Sequence, residues 1–262
     1  MTKHINPELR APGLALLAME FRAPFEFGSV IPAWPALQRA PAGDGHTVLV
    51  FPGLAASDPT TFPLRGYLGT LGYVAEGWSQ GFNFGPRAGV LETARRALRD
   101  AFERSRRKVS LVGWSLGGVY ARELAKELPE AVRCVITLGS PFSGPPKATN
   151  AWRIYELTSG RDIEDEHANY ELHVAPPVPT TSIFSRSDGI VAWKASMQQP
   201  SYGHERSENI EVVASHIGLG VNPSAWWAIA DRLAQAEGGW KPFDRGGLFG
   251  LKSFIYPDPH RP

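Results

Sequence analysis

Val109-Ser110-Leu111-Val112-Gly113-Trp114-Ser115-Leu116-Gly117-Gly118 decides the fold. A short apolar run of strand length meets a GxSxG pentapeptide, and residues 118–128 continue at helical spacing. Strand, sharp turn and helix is the context in which this pentapeptide forms an elbow that carries a nucleophile. Gly113 and Gly117 are read as the elbow glycines: a serine on so tight a turn is strained, and strand and helix pack closely only without side chains two residues to either side. The same geometry turns the Ser115 hydroxyl out of the sheet. It also leaves the first amides of the helix, Leu116 N–H among them, unpaired and facing that hydroxyl. With 27 glycines in the chain a chance GxSxG is no rarity, so the surroundings must carry the reading.

Outward from the elbow, strand-like and helix-like runs alternate. Residues 47–51 (TVLVF) form a first apolar strand of the kind a sheet covered on both faces requires. Pro52-Gly53-Leu54 follows, then Asp58 as a helix cap with Pro59 at the first helical position and a helix to about Leu71. Tyr73-Val74-Ala75 is a second strand, and 77–86 a glycine-rich loop. Leu91, Ala94, Leu98 and Ala101 form one stripe of a helix over 88–107, whose basic end at 104–108 is a solvated terminus complementing the helix dipole. Beyond the elbow come strands at 132–138, 181–184 and 209–213. A last helix is capped by Asn222, starts at Pro223 and stops at Gly238-Gly239. Such alternation predicts an α/β fold with a mainly parallel central sheet and helices on both faces.

All 262 residues are read as a single domain, a length that one large core can serve. Two segments stand apart. Residues 1–45 are rich in proline and aromatics, with Pro7, Pro12, Pro24, Pro32, Pro35 and Pro41 ruling out a long helix. This N-terminal arm is expected to lie over the domain, the other roles being a partner or membrane surface. Residues 139–179 exceed a usual connection and are read as a small cap or lid insertion. Lysine plus arginine total 27 against 26 acidic residues, a formal net charge of +1, so no nucleic-acid partner is expected. Cys134 cannot form an internal disulfide and is read as a small buried hydrophobe in a reducing compartment. The apolar stretch 11–19, broken by Pro12 and ended by Glu20, is too short to cross a bilayer. The expectation is a soluble, cytoplasmic chain with no transmembrane segment.

A nucleophilic serine requires a base and a carboxylate that orients the base. His216 follows the strand at 209–213 and Asp188 follows the strand at 181–184, the chain order and loop positions that a strand-elbow-helix protein needs. His4 and His260 lie near the termini, His46 before the first strand, His167 and His173 in the insertion and His204 before the last strand. Asp162, Asp165 and Glu205 remain alternatives to Asp188. Leu54 N–H, after the first strand, is expected opposite Leu116 N–H as the second oxyanion donor.

At these residues the chain resembles the α/β-hydrolase family, and within it the bacterial lipase-like and esterase-like serine hydrolases. The resemblance runs from Thr47 to Leu233 through Phe51-Pro52-Gly53-Leu54, the elbow, Ser187-Asp188-Gly189-Ile190-Val191 and Ser215-His216-Ile217-Gly218-Leu219. Lipases and many esterases have histidine-glycine where this chain has Pro52-Gly53. The resemblance implies an α/β-hydrolase fold and an acyl-enzyme mechanism on a small-molecule ester, with no metal and no organic cofactor. An apolar acyl group is expected, bound by Trp114, Trp152 and Tyr155, since aromatic residues crowd the elbow and the insertion. An acyltransferase or thioesterase would use the same triad, and a non-catalytic binding protein could use the same scaffold.

Overall fold

The computed structural model describes residues 8–160, 171–246, 250 and 252–261. Six strands form one sheet in the order β2-β1-β3-β4-β5-β6, every neighbour pair parallel. They are β1 Thr47–Phe51, β2 Val74–Gly77, β3 Val109–Trp114, β4 Val132–Leu138, β5 Thr180–Phe184 and β6 Ser207–Glu211. Alternate side chains of one strand enter two separate cores, as the pleat requires. Val48 and Val50 of β1 join one core and Leu49 and Phe51 the other. Both faces are therefore covered, which explains why β1 reads as an almost unbroken apolar run and why every residue of β1 and β5 is buried.

Three short helices, α1 Leu14–Ala18, α2 Ala23–Gly28 and α3 Val30–Leu37, make up the described part of the N-terminal arm, with a 3-10 turn Met19–Arg22 between α1 and α2. Pro24 opens α2 and Pro35 sits inside α3, so the arm bends instead of running as one rod. It packs on the domain: Trp34 meets Tyr67 edge-on at 6.0 Å, and the Tyr67 hydroxyl donates to the Leu37 carbonyl at 3.1 Å. No helix among the described residues is long and apolar enough to cross a membrane.

Helices α4 Asp58–Thr70, α5 Val90–Ser105 and α6 Leu116–Glu127 follow β1, β2 and β3. The start of α4 corrects the expected cap. Ser57 is the cap residue, and the Asp58 carboxylate instead accepts from Trp78 N–H and Ser79 N–H, both at 3.0 Å. Two hydrogen bonds across the chain outcompete a local one. At the end of α5, Arg104 pairs with Glu76 and Arg107 with Asp44, so the basic run is an ion-paired helix end. Between β4 and β5 lies α7 Trp152–Ser159; residues 161–170, with Asp162, Asp165 and His167, lie outside the described residues. Asn222 caps α8 Pro223–Leu233 by accepting from Ser224 N–H and Ala225 N–H. That helix ends before Gly238-Gly239, at Ala234.

The chain leaves β1 toward β2 on one side and returns to β3 on the other. Open parallel sheets gather ligands at such a switch point, beyond the carboxyl ends of the strands. Leu54 after β1 and Ser115 after β3 flank it.

Candidate active site

Ser115 caps α6 with φ +52° and ψ −121°, a conformation that costs a side-chain-bearing residue about 1–3 kcal/mol. The surrounding packing holds it there. A Cβ on Gly113 would lie 2.3 Å from the Gly118 Cα, and one on Gly117 2.4 Å from the Phe51 carbonyl oxygen. Neither glycine can be replaced without separating β3 from α6 or α6 from β1. Ser115 N–H still donates to the Leu138 carbonyl at 2.8 Å, which keeps the elbow tied to β4.

Asp188 and His216 come from the loops after β5 and β6 and meet directly. His216 Nδ1 lies 2.7 Å from Asp188 Oδ2, while Asp188 Oδ1 accepts from Ile190 N–H at 2.8 Å and Val191 N–H at 2.7 Å. With both oxygens engaged, the carboxylate has one orientation. Beneath the pair is Gly139, at φ +56°, where a Cβ would come within 3.0 Å of Asp188 Oδ2 and 3.1 Å of His216 Nδ1. Burial acts to lower the His216 pKa, but the neighbouring Asp188 carboxylate, and Glu20 behind it, outweigh burial and raise it above the ordinary imidazole value. Trp114, the residue before Ser115, donates its indole N–H to the His216 carbonyl at 3.0 Å. Among the described residues Ser115 Oγ has no hydrogen-bonding partner, a common state for a hydroxyl that tightens onto a base only when a reactant is bound.

Ser115 opens onto a cavity of about 780 Å³, a figure that includes its solvent-open mouth. Leu54 and Leu116 border it beside the serine. Leu91, Pro141, Trp152, Tyr155 and Leu172 supply most of the apolar wall, and Glu123 is its acidic member. Trp152 and Tyr155 of α7 are thus cavity residues. Trp114 is not on this wall, and its ring instead packs against Gly220 and the His216 loop. Leu116 is the first residue of α6, where an amide has no intrahelical acceptor. Glu205 is exposed, and among the described acids Asp188 is the one bonded to His216.

Sequence reasoning missed Glu20. Its Oε1 accepts from His216 N–H at 2.9 Å and Gly189 N–H at 2.7 Å, and its Oε2 from Ile217 N–H at 2.9 Å. In sequence it only closes an apolar stretch, a position that signals nothing about partners so far along the chain.

A second serine-histidine-aspartate line exists at the opposite end of the sheet. His46 Nδ1 lies 2.5 Å from Asp44 Oδ1, and His46 Nε2 lies 2.7 Å from Ser110 Oγ. Ser110 and His46 are completely buried. No strained turn presents this serine, which is the second residue of β3. Burial dominates at His46 and lowers its pKa despite the hydrogen bond it makes to the Asp44 carboxylate, the reverse of His216. The line is a buried polar network that fastens β1 to β3. Among the described residues no group of three or more His, Cys, Asp or Glu side chains is placed to hold a metal ion.

No protein-family model matches the chain, and no curated protein sequence matches it either. Solved structures do. Aspergillus fumigatus lipase B is similar at a TM-score of 0.56 and 19% identity over 74% of this chain, which spans 53% of that longer protein. The monoacylglycerol lipase of Paleococcus ferrophilus gives 0.55 and 16% over 74% of this chain and 96% of its own. An alpha/beta superfamily hydrolase from Oenococcus oeni PSU-1 gives 0.52 and 17% over 72% and 91%. At these identities the likeness concerns the backbone, and it establishes the α/β-hydrolase fold.

Proposed function

We propose that this α/β-hydrolase-fold chain is a serine hydrolase of carboxylic esters with an apolar acyl group. The observation that carries the reading is the strained Ser115 opening onto an apolar cavity, with its neighbour Trp114 bonded to the backbone of the buried Asp188–His216 pair. The lipase names of two structural neighbours support it as well. His216 takes the Ser115 proton on Nε2 while Asp188, on Nδ1–H, fixes the tautomer and steadies the imidazolium that results. Ser115 Oγ attacks the ester carbonyl, and the N–H groups of Leu54 and Leu116 receive the oxyanion. His216 returns the proton to the leaving alcohol. Water, deprotonated by the same imidazole, then releases the acid from Ser115. Leu91, Leu172, Trp152 and Tyr155 take the acyl chain, with α7 acting as the lid.

The test is covalent labelling with a fluorophosphonate, followed by turnover of p-nitrophenyl esters of rising chain length. Labelling that disappears in Ser115→Ala, with turnover favouring apolar acyl groups, is expected. A folded wild-type protein that neither labels nor hydrolyses any member of the series would overturn the reading.

A further inference from the structure

The three amides received by Glu20 come from two different loops. Gly189 follows Asp188, whereas His216 and Ile217 belong to the loop after β6, so one carboxylate joins the backbone beside the acid to the backbone of the base. Glu26, on α2, repeats the arrangement. Its Oε1 accepts from Ser215 N–H at 2.8 Å and from Arg22 Nε at 2.7 Å, and Arg22 Nη2 reaches Ser187 Oγ at 2.6 Å. The loops are shaped to receive these residues. A Cβ on Gly189 would lie 2.2 Å from the Leu16 carbonyl oxygen, and one on Gly218 1.8 Å from Glu26 Oε2. Neither glycine has a positive φ; the arm backbone leaves no room for a side chain at Gly189, and Glu26 together with Ser215 Oγ of the same loop leaves none at Gly218.

Glu20 is 6% exposed, and among the described residues no cationic side chain pairs with it. A carboxylate is costly to bury and persists where N–H donors satisfy it. Here every donor belongs to the two loops that carry Asp188 and His216.

We infer that Glu20 is a positioning residue of this site, contributed by the N-terminal arm, which fixes the Asp188 and His216 loops relative to each other. The inference rests on the triad reading above. Glu20 touches neither Ser115 nor the apolar cavity, so it acts on the rate of the chemical steps and not on ester binding. Its negative charge also lies against the backbone of the imidazole that becomes cationic during proton transfer. The charged groups facing His216 are Asp188 from the β5 loop and Glu20 from the arm, with Glu26 and Arg22 one hydrogen bond further out.

The experiment measures kcat and KM against pH for a p-nitrophenyl ester, and titrates the His216 imidazole by NMR, in the wild type, Glu20→Gln and Glu20→Ala. Phe21→Ala, from the same turn but with an 86% exposed ring, is the control. A glutamine keeps an acceptor for two amides but turns an NH2 toward Ile217 N–H. Its kcat should fall roughly tenfold, and that of alanine about a hundredfold, on the scale by which small misplacements slow oriented reactions. KM should be unchanged, and the His216 midpoint should move to lower pH in both. Unchanged kcat and midpoint beside a lower melting temperature, or loss of folding in both variants, would make Glu20 a structural tie and overturn the inference. If only the alanine variant unfolds, the glutamine variant decides. If the wild type hydrolyses no ester, the ester reading falls, and the His216 midpoint in Glu20→Gln still decides this inference.

Discussion

Ser110 Oγ lies 2.7 Å from His46 Nε2, a serine-histidine contact that is sealed inside the protein. The same fold thus holds one hydroxyl that is bonded and buried and another, Ser115, that is strained and opens onto a cavity. Geometry of the contact alone would favour Ser110, against the assignment proposed above. Access and backbone conformation favour Ser115, and the two are separable by mutation. Ser115→Ala should abolish fluorophosphonate labelling and lower ester turnover by several orders of magnitude. Ser110→Ala should keep near-native turnover while losing about 1–3 kcal/mol of stability in urea unfolding, because His46 Nε2 is left buried without a partner. Loss of turnover in folded Ser110→Ala would reverse the assignment.

In the mechanism proposed above, His216 should set the acid limb of the pH profile. It must be neutral to accept the Ser115 proton, and its pKa is raised above 6.5 because Asp188 and Glu20 outweigh burial. As pH falls, kcat/KM should therefore drop with a midpoint above 6.5, the profile of the free enzyme being the one to measure. Asp188→Asn removes the carboxylate with the larger effect on His216 and should move that midpoint down. A limb at ordinary carboxylate pH would mean that another group is the base.

Asp188 and His216 should fail together. Each of Asp188→Asn and His216→Ala is expected to cost orders of magnitude in kcat, whereas the double variant should lose far less than the product of the two, as residues acting as one unit do. Independent, multiplicative losses would show that the 2.7 Å contact has no catalytic consequence.

Trp152 is expected to read acyl length. Its ring borders the cavity and has Lys147 Nζ at 5.4 Å and Arg153 at 5.0 Å from its centre. Trp152→Ala should reduce kcat/KM for long-chain esters more than for acetate, at ~0.8 kcal/mol for each methylene that loses its contact. A uniform loss along the series with a lowered melting temperature would assign the ring to packing instead.

Much of this fold was legible because its signals are local. The strand at 132–138 was read at its observed bounds, since a mostly apolar run, interrupted by Arg133, ends at a glycine with positive φ. The Asn222–Pro223 start of α8 was legible for the same reason, a side-chain cap being a contact over two or three residues. Chain order alone also brought Asp188 and His216 to adjacent loops. Three features escaped. Asp58 looked like a cap, yet its partners are Trp78 and Ser79, twenty residues away. Trp114 looked like a substrate contact, yet its N–H holds the His216 carbonyl. Glu20 gave no signal. In each case the deciding hydrogen bond joins segments whose proximity only the assembled sheet creates.

The span between Glu20 and His216 is 196 positions, and those from Glu20 to Gly189 and from Arg22 to Ser187 are 169 and 165. A contact across so long a stretch gains its energy only after the entropy of closing that loop has been spent. During synthesis the arm leaves the ribosome well before the amides that satisfy its carboxylates. Glu20 must stay hydrated until β5, β6 and the loops beyond them exist. The clasp around Asp188 and His216 can close only once both loops exist, and a chain truncated before Ser215 would carry a complete elbow with neither the imidazole nor the amides that Glu20 and Glu26 receive beyond β6.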